Sequence, residues 1–338
     1  MIDSSKNTRQ LPSLRFSDGT EIPCIGMGTF GSDKYDPETV SAAVRGALAF
    51  GYRLFDCAAV YGNEDQIGLV LDEAIQNNTA DRGSLFLISK VWNDMHGRGD
   101  VLLSLAKTLR DLRTDYIDLF LIHWPFRNAH ASGCDGDARD PNAKPFSVDD
   151  YLETWRQMER LVDMGLVRHI GMSNMTIPKL EAVLPHCRIQ PAAVEMELHP
   201  GFQQKALYRY CRAHGILPIG YCPLGSPSRP ERDKTPGDVC DMELPAVRQA
   251  AEAHGIHPAL VCIKWAVQMG HLVIPFSAKP VQYMENLRCV LSDPLTDDEM
   301  AQICASDSDC RLVKGQVFLW EGAKDWTALW DPDGIIVS

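Results

Sequence analysis

Apolar and polar positions along the chain alternate between two periods. Short apolar runs of about 4–8 residues precede longer stretches whose apolar residues recur at helical spacing. The first pair of runs, in SLRFSDGTEIPCIG, flanks Asp18-Gly19, a turn dipeptide that predicts a β-hairpin. A run near Cys24–Gly26 then precedes PETVSAAVRGALAFG, RLFD precedes a helix beginning near Glu64, and LFLISK precedes VLLSLAKTLRDL. DLFLIH precedes DDYLETWRQMERLVDMG after a long loop, and RHIGMS precedes IPKLEAVLPHC. AAVEMEL precedes QQKALYRYCRAHG, and ILPIGYCP precedes LPAVRQAAEAHG and PALVCIKWAVQMG. HLVIPFS precedes VQYMENLRCVL, which completes eight strand–helix units. Gly51, Gly165, Gly215 and Gly270 each stand where a helix-ending glycine belongs.

The strands read as continuous apolar runs, so both faces are buried, as in a parallel sheet. Eight such units predict an α/β protein folded as one closed (β/α)8 TIM barrel over residues 1–338, with the hairpin at its N-terminus. No GxGxxG follows a strand, so a Rossmann fingerprint is missing. The polar stretch Arg127–Lys144 reads as a loop between a strand and its helix, not as a linker. A net charge of −12 argues against general nucleic-acid binding or an anionic membrane surface, while leaving room for a local phosphate pocket. No apolar run approaches the roughly 18 residues that span a bilayer. The polar opening MIDSSKNTRQ lacks the apolar core of a signal peptide. The 11 cysteines form no CxxC pair and no zinc spacing, which predicts reduced thiols, no metal and a cytoplasmic setting.

In such barrels the residues at the C-terminal strand ends carry chemistry. Here they are Asp56, Lys90, His123, Ser173, Asn174, Glu195, Glu197, His199 and Tyr221. Asp56 and Lys90 end neighbouring strands and can form an ion pair. Tyr61 follows Asp56 by five residues. A free phenol titrates near pH ~10, and an adjacent ammonium is expected to lower that value. His123, on the next strand, can hydrogen-bond a carbonyl oxygen. The set predicts a proton donor aimed at a substrate oxygen. A hydride from a nicotinamide is the natural partner at the carbon.

Five ordered segments, GYRLFDCAAVYGNE (51–64), ISKVW (88–92), DYIDLFLIHWP (115–125), GLVRHIGMSN (165–174) and IPFSAKPVQYMENL (274–287), resemble the signatures of the aldo-keto reductase family. The resemblance implies a barrel that binds NADP or NAD in extended form. It implies a tetrad of Asp56, Tyr61, Lys90 and His123, with Tyr61 as general acid. It implies cofactor contacts from Thr29, Ser173, Asn174, Glu195, Tyr221, Leu224, Ser226, Ser277, Glu285 and Asn286. Phe30, Trp92 and Trp124 would wall the substrate pocket, and residues 288–338 would form a C-terminal segment whose long loop covers the barrel mouth. The implied activity is reduction of an aldose, another aldehyde or a small ketone. The contrasting function is a regulatory or structural protein that keeps the barrel without turnover.

Several positions depart from the family pattern. Glu195 replaces the usual Gln at the carboxamide, and an ionised carboxylate cannot donate to its carbonyl. Phe276 and Gln282 replace the cations expected near a 2′-phosphate, leaving Lys279 as the candidate partner. NADP(H) is slightly favoured by family habit, with NAD(H) usable. Ser228 stands where some members carry the acid of a clasp over the pyrophosphate. Trp320, Trp326 and Trp330 crowd the tail, either as a wall for substrate or as packing against the barrel.

Overall fold

The computed structural model describes residues 11–31, 34–131, 134 and 140–337. Strands β1 (Ser13–Arg15) and β2 (Glu21–Pro23) pair antiparallel. Gly19 makes their turn at φ +89°, which a side chain would resist. The eight parallel strands follow: β3 (Met27–Gly28), β4 (Leu54–Asp56), β5 (Phe86–Val91), β6 (Ile117–Ile122), β7 (Val167–Ser173), β8 (Ala193–Glu197), β9 (Leu217–Tyr221) and β10 (Leu272–Val273). Each pairs with the next in chain order, and a parallel bridge between Ile25 and Val273 brings the two edges together. The sheet is therefore a closed (β/α)8 barrel. Its first strand begins slightly later than expected, but Cys24 still accepts from the Val273 amide at 3.1 Å across the seam.

The helices are α1 (Pro37–Phe50), α2 (Glu64–Gln76), α3 (Asp100–Asp111), α4 (Val148–Asp163), α5 (Ile177–Val183), α6 (Lys205–Ala213), α7 (Pro245–His254), α8 (Pro258–Met269), α9 (Pro280–Cys289) and α10 (Asp297–Ala305). Their starts are written in sequence. Asp36 caps α1 by accepting from the Thr39 amide, with Pro37 at the first helical position. The four glycines expected beyond helix ends all have positive φ, from +71° to +124°. Helix α10 is an addition to the sequence reading. Thr296 and Glu299 close a capping box at its start, a signal present in the sequence but only nine residues of helix long.

The two-residue period of a strand divides the core. Phe55, Leu87, Phe120, Ile122 and Val194 face outward to the helices, in the larger apolar cluster. Leu54, Ile88, Leu121, Ala193 and Ile219 face inward, where Phe16 and Ile22 of the hairpin join them. One inward step further along those strands come Asp56, Lys90, His123, Glu195 and Tyr221. The pleat that fills the barrel with aliphatic layers thus delivers the polar layer to its C-terminal mouth. Among the described residues, no helix is long and apolar enough to cross a membrane.

Candidate active site

A cleft of about 640 Å³ opens at this mouth. Lys90 lies beneath it, fully buried. Its Nζ donates to Asp56 Oδ1 at 2.6 Å and Oδ2 at 2.7 Å, and to the Cys57 carbonyl at 3.2 Å. It also reaches Tyr61 Oη at 3.4 Å and Glu195 Oε1 at 3.4 Å. Tyr61 ends a single 3-10 turn, and Gly62 turns the chain away at φ +65°. Burial alone would strip the Lys90 proton, but the charges of Asp56, Glu195 and Tyr61 hold its ammonium well above the ordinary lysine value.

The expected lowering of the Tyr61 pKa is not what the structure gives. Burial raises it first; Lys90 pulls it down, while Asp56 and Glu195 push it up again, and the phenol ends above its ordinary value. The ammonium is shared with two carboxylates, so only part of its field reaches the phenol. Tyr61 is consequently protonated at neutral pH, the state a proton donor requires. His123 packs edge-on to Tyr61 with ring centroids 5.7 Å apart, and edge-on to Trp92 at 5.1 Å. Burial, then Lys90, His96 and His130, depress its pKa far below the usual histidine range, so the imidazole is neutral. Its Nδ1 is buried without a protein partner.

Around this end, Asn174 adopts a left-handed φ of +57°. Its amide donates to the His123 carbonyl at 2.8 Å and to Ser173 Oγ at 3.2 Å, and accepts from Tyr221 Oη at 2.6 Å. Thr29 donates its hydroxyl to the Asp56 carbonyl at 2.8 Å. Glu195 is buried, and burial, then the Asp56 charge, push its pKa up to about 8 against the pull of Lys90. Its Oε2 has no hydrogen-bond partner.

The cleft gathers Thr29, Phe30, Asp56, Tyr61, Trp92, His123, Trp124, Asn174, Glu195, Tyr221, Leu224, Ser226, Ser277, Gln282, Glu285 and Asn286 into one wall. Three expected residues stand apart from that wall. Lys90 lies below it, Ser173 is buried behind Asn174, and Lys279 is exposed at the start of α9. Near Lys279, Ser277 Oγ donates to Gln282 Oε1 at 2.5 Å, and Arg288 is paired with Glu285 at 2.9 Å.

The tail contributes Val313, Gly315, Val317 and Phe318 to the cleft. Its tryptophans pack instead. Trp320 is buried, and Trp330 meets Trp124 at 5.6 Å and carries the Arg311 guanidinium 3.4 Å above its ring. Sequence reasoning missed Phe318 and His130, which pack at a tilt with ring centroids 5.2 Å apart and both flank Trp92. His130 follows β6 in a loop at the catalytic end of the barrel, which was the available signal. The loop after β9 is latched to the tail: Asp238 accepts from Lys314 at 2.6 Å and pairs with Arg229. Ser228 lies in the cleft wall beside this latch.

A buried Lys90–Asp56 pair lies below Tyr61, with a neutral His123 beside it, at the mouth of a (β/α)8 barrel. Residues 24–308 match the model of the aldo/keto reductase family, and the chain belongs to that family. It is an NAD(P)-dependent oxidoreductase. The chain is 39% identical over 333 residues to "Aldo/keto reductase slr0942" of Synechocystis sp., covering 98% of this chain and 99% of that protein. It is 37% identical over 297 residues to "Aldo-keto reductase family 1 member A1" of Xenopus tropicalis, covering 87% and 88%. The Bos taurus protein of the same name is 38% identical over 301 residues, covering 87% and 89%.

Proposed function

We propose that this chain reduces an aldehyde or small ketone to the alcohol, with Tyr61 donating the proton to the carbonyl oxygen. A bound NADPH or NADH supplies the hydride. The residues present fit such a dinucleotide: the cleft runs unbroken from Tyr61 and His123, past Leu224 and Ser226, to Ser277, Gln282, Glu285 and Asn286. At its inner end, the buried His123 Nδ1 and Glu195 Oε2 lack protein partners. Ser173, Asn174, Glu195 and Tyr221 would hold the nicotinamide end. Thr29, Leu224 and Ser226 would hold the middle, and Ser277, Lys279, Gln282, Glu285 and Asn286 the adenosine end.

The observation that carries the reading is the position of Lys90 Nζ, 3.4 Å from Tyr61 Oη while bound to Asp56. As the phenol gives up its proton, negative charge grows at Tyr61 Oη, and the Lys90 ammonium is already in place to stabilise it. Asp56 fixes that ammonium. The neutral His123 orients the carbonyl oxygen towards Tyr61 without competing as an acid. Phe30, Trp92 and Trp124 enclose the rest of the substrate, an aldose or another small carbonyl compound. The reduced thiols of the chain suit a cytoplasmic setting.

Tyr61→Phe keeps the ring and removes the proton. Turnover is expected to fall by at least ~10²-fold, while the quenching of protein fluorescence by NADPH or NADH stays intact. A variant that keeps most of its turnover number overturns the assignment of Tyr61.

A further inference from the structure

Glu195, on β8, enters the barrel interior across from Asp56, on β4, and meets the same Lys90. Both carboxylates reach one Nζ, at 2.6 Å for Asp56 and 3.4 Å for Glu195, and all three side chains are buried. The two carboxyl groups thus crowd a single ammonium. Asp56 takes two short hydrogen bonds from the ammonium, and Glu195 makes only a looser ion-pair contact with it. The remaining oxygen of Glu195 is buried with no partner. The other groups that face the cluster add no positive charge: Tyr61, Tyr221 and His123 are all neutral at neutral pH. With both carboxylates ionised the buried cluster carries a net charge of −1; with one proton added it is neutral. A buried uncompensated charge is strongly disfavoured, and two adjacent carboxylates resolve it by sharing a proton.

We propose that Glu195 holds a proton and donates it in a hydrogen bond to Asp56, so that Asp56, Glu195 and Lys90 form a neutral triad beneath Tyr61. The proposal rests on the carbonyl-reductase reading for its consequence, though not for its existence. In the neutral triad, Lys90 has one full counter-charge and keeps attraction to spare for the Tyr61 oxygen. Loss of the Glu195 proton places a second negative charge against Lys90, raises the Tyr61 pKa further and opposes the negative charge that develops on the reacting oxygens. Glu195 is thus a positioning residue that gates proton delivery by its own ionisation. The burial that raises its pKa to about 8 puts this gate within reach of mildly alkaline solution.

The test starts with the free protein. Infrared difference spectra between pH 7 and pH 9.5 should show one protonated carboxyl band disappearing in the wild type and not in Glu195→Gln. Glu64, whose pKa burial also raises, and His199, held near 9, are present in both proteins and cancel in that comparison. Asp56→Asn leaves Lys90 to Glu195 alone, so the band should already be missing at pH 7; this variant decides the matter if Glu195→Gln does not fold. With either dinucleotide and a carbonyl substrate, wild-type turnover should fall about tenfold per pH unit above the Glu195 transition, as one ionisation requires. Glu195→Gln, whose amide still donates to Asp56, should hold its rate within about twofold across the same range. An identical band in wild type and Glu195→Gln at every pH, or an equal alkaline loss of rate in both, overturns the proposal. A titrating band in a protein that turns over no carbonyl with either dinucleotide leaves the triad standing and removes the carbonyl-reductase reading instead.

Discussion

Lys90 supplies the only positive charge in the layer that contains Asp56, Glu195 and Tyr61 among the described residues, and its three polar neighbours compete for it. Removing that charge therefore has two separable effects. Lys90→Met leaves Asp56 buried without its partner, a change that typically costs about 3–5 kcal/mol. Thermal denaturation should show this as a clear loss of melting temperature. The variant also leaves Tyr61 facing carboxylates alone, so its pKa climbs and proton donation slows. The pH–rate profile of any residual activity should be displaced from that of the wild type. A superimposable profile would show that Lys90 does not tune Tyr61, whatever the variant's stability. At this scale the sequence is informative about identity and silent about balance. Asp56, Lys90 and His123 are legible because each is the first polar residue after an inward-facing apolar series. The net direction of the Tyr61 shift is not legible. It depends on how the Lys90 charge divides between Asp56 and Glu195, and that division is set by distances across three strands.

Strand β8 carries a second polar step beyond Glu195, and it serves a different element. Glu197 and His199 turn away from the tetrad into a buried bridge. His199 Nε2 meets Glu197 Oε1 at 3.0 Å, and Nδ1 meets Asp241 Oδ2 at 2.8 Å. Glu197 also accepts from the tail amides of Leu312 at 2.7 Å and Val313 at 3.0 Å. One imidazolium thus ties the barrel to the tail and to the loop after β9. Burial works against its proton, but the hydrogen bonds to Asp241 and Glu197 prevail and raise its pKa from 6.5 to about 9. A folded value above the unfolded one means that the bridge contributes its full stability below about pH 6.5. The contribution fades as the pH climbs through 9. A shift of this size corresponds to stability on the order of 3 kcal/mol. Denaturant titrations from pH 6 to pH 10 should show stability falling across that window, and His199→Gln should be weaker at pH 6 and flatter above it. A wild-type protein equally stable at pH 6 and pH 10 would mean that His199 is neutral in the fold. Among the described residues, the barrel strands and nine of the ten helices were legible from periodicity alone. The tail was not, because its order comes from such side-chain ties, with Lys179–Asp331 as another, and not from any repeat.

Taken whole, the molecule is acidic, with a net charge of −12, yet it binds an anionic dinucleotide. Long-range repulsion must be overcome by cations near the cleft, and most of these are already engaged. Arg229 and Lys314 share Asp238, and Arg288 is held by Glu285. Lys279 is exposed at the start of α9, where it can swing towards a phosphate on the ribose but gains little from burial. Phe276, in place of a family cation, lines the cleft and packs against Tyr35 at 5.9 Å. We therefore expect modest discrimination, with both dinucleotides usable and NADPH ahead by about tenfold, the worth of one exposed charge-assisted contact. Such a contact is screened by salt over about 10 Å at 0.1 M ionic strength, so the preference should shrink as salt is added. Lys279→Ala should bring the two affinities together by weakening NADPH and leaving NADH nearly unchanged. Paired fluorescence titrations of wild type and variant, at low and high ionic strength, measure all of this at once. A preference for NADPH above about a thousandfold exceeds what a single such contact supplies. If that preference also persisted in Lys279→Ala, the phosphate would have to sit against other groups of the cleft, with His257, which lines its wall, the first to substitute.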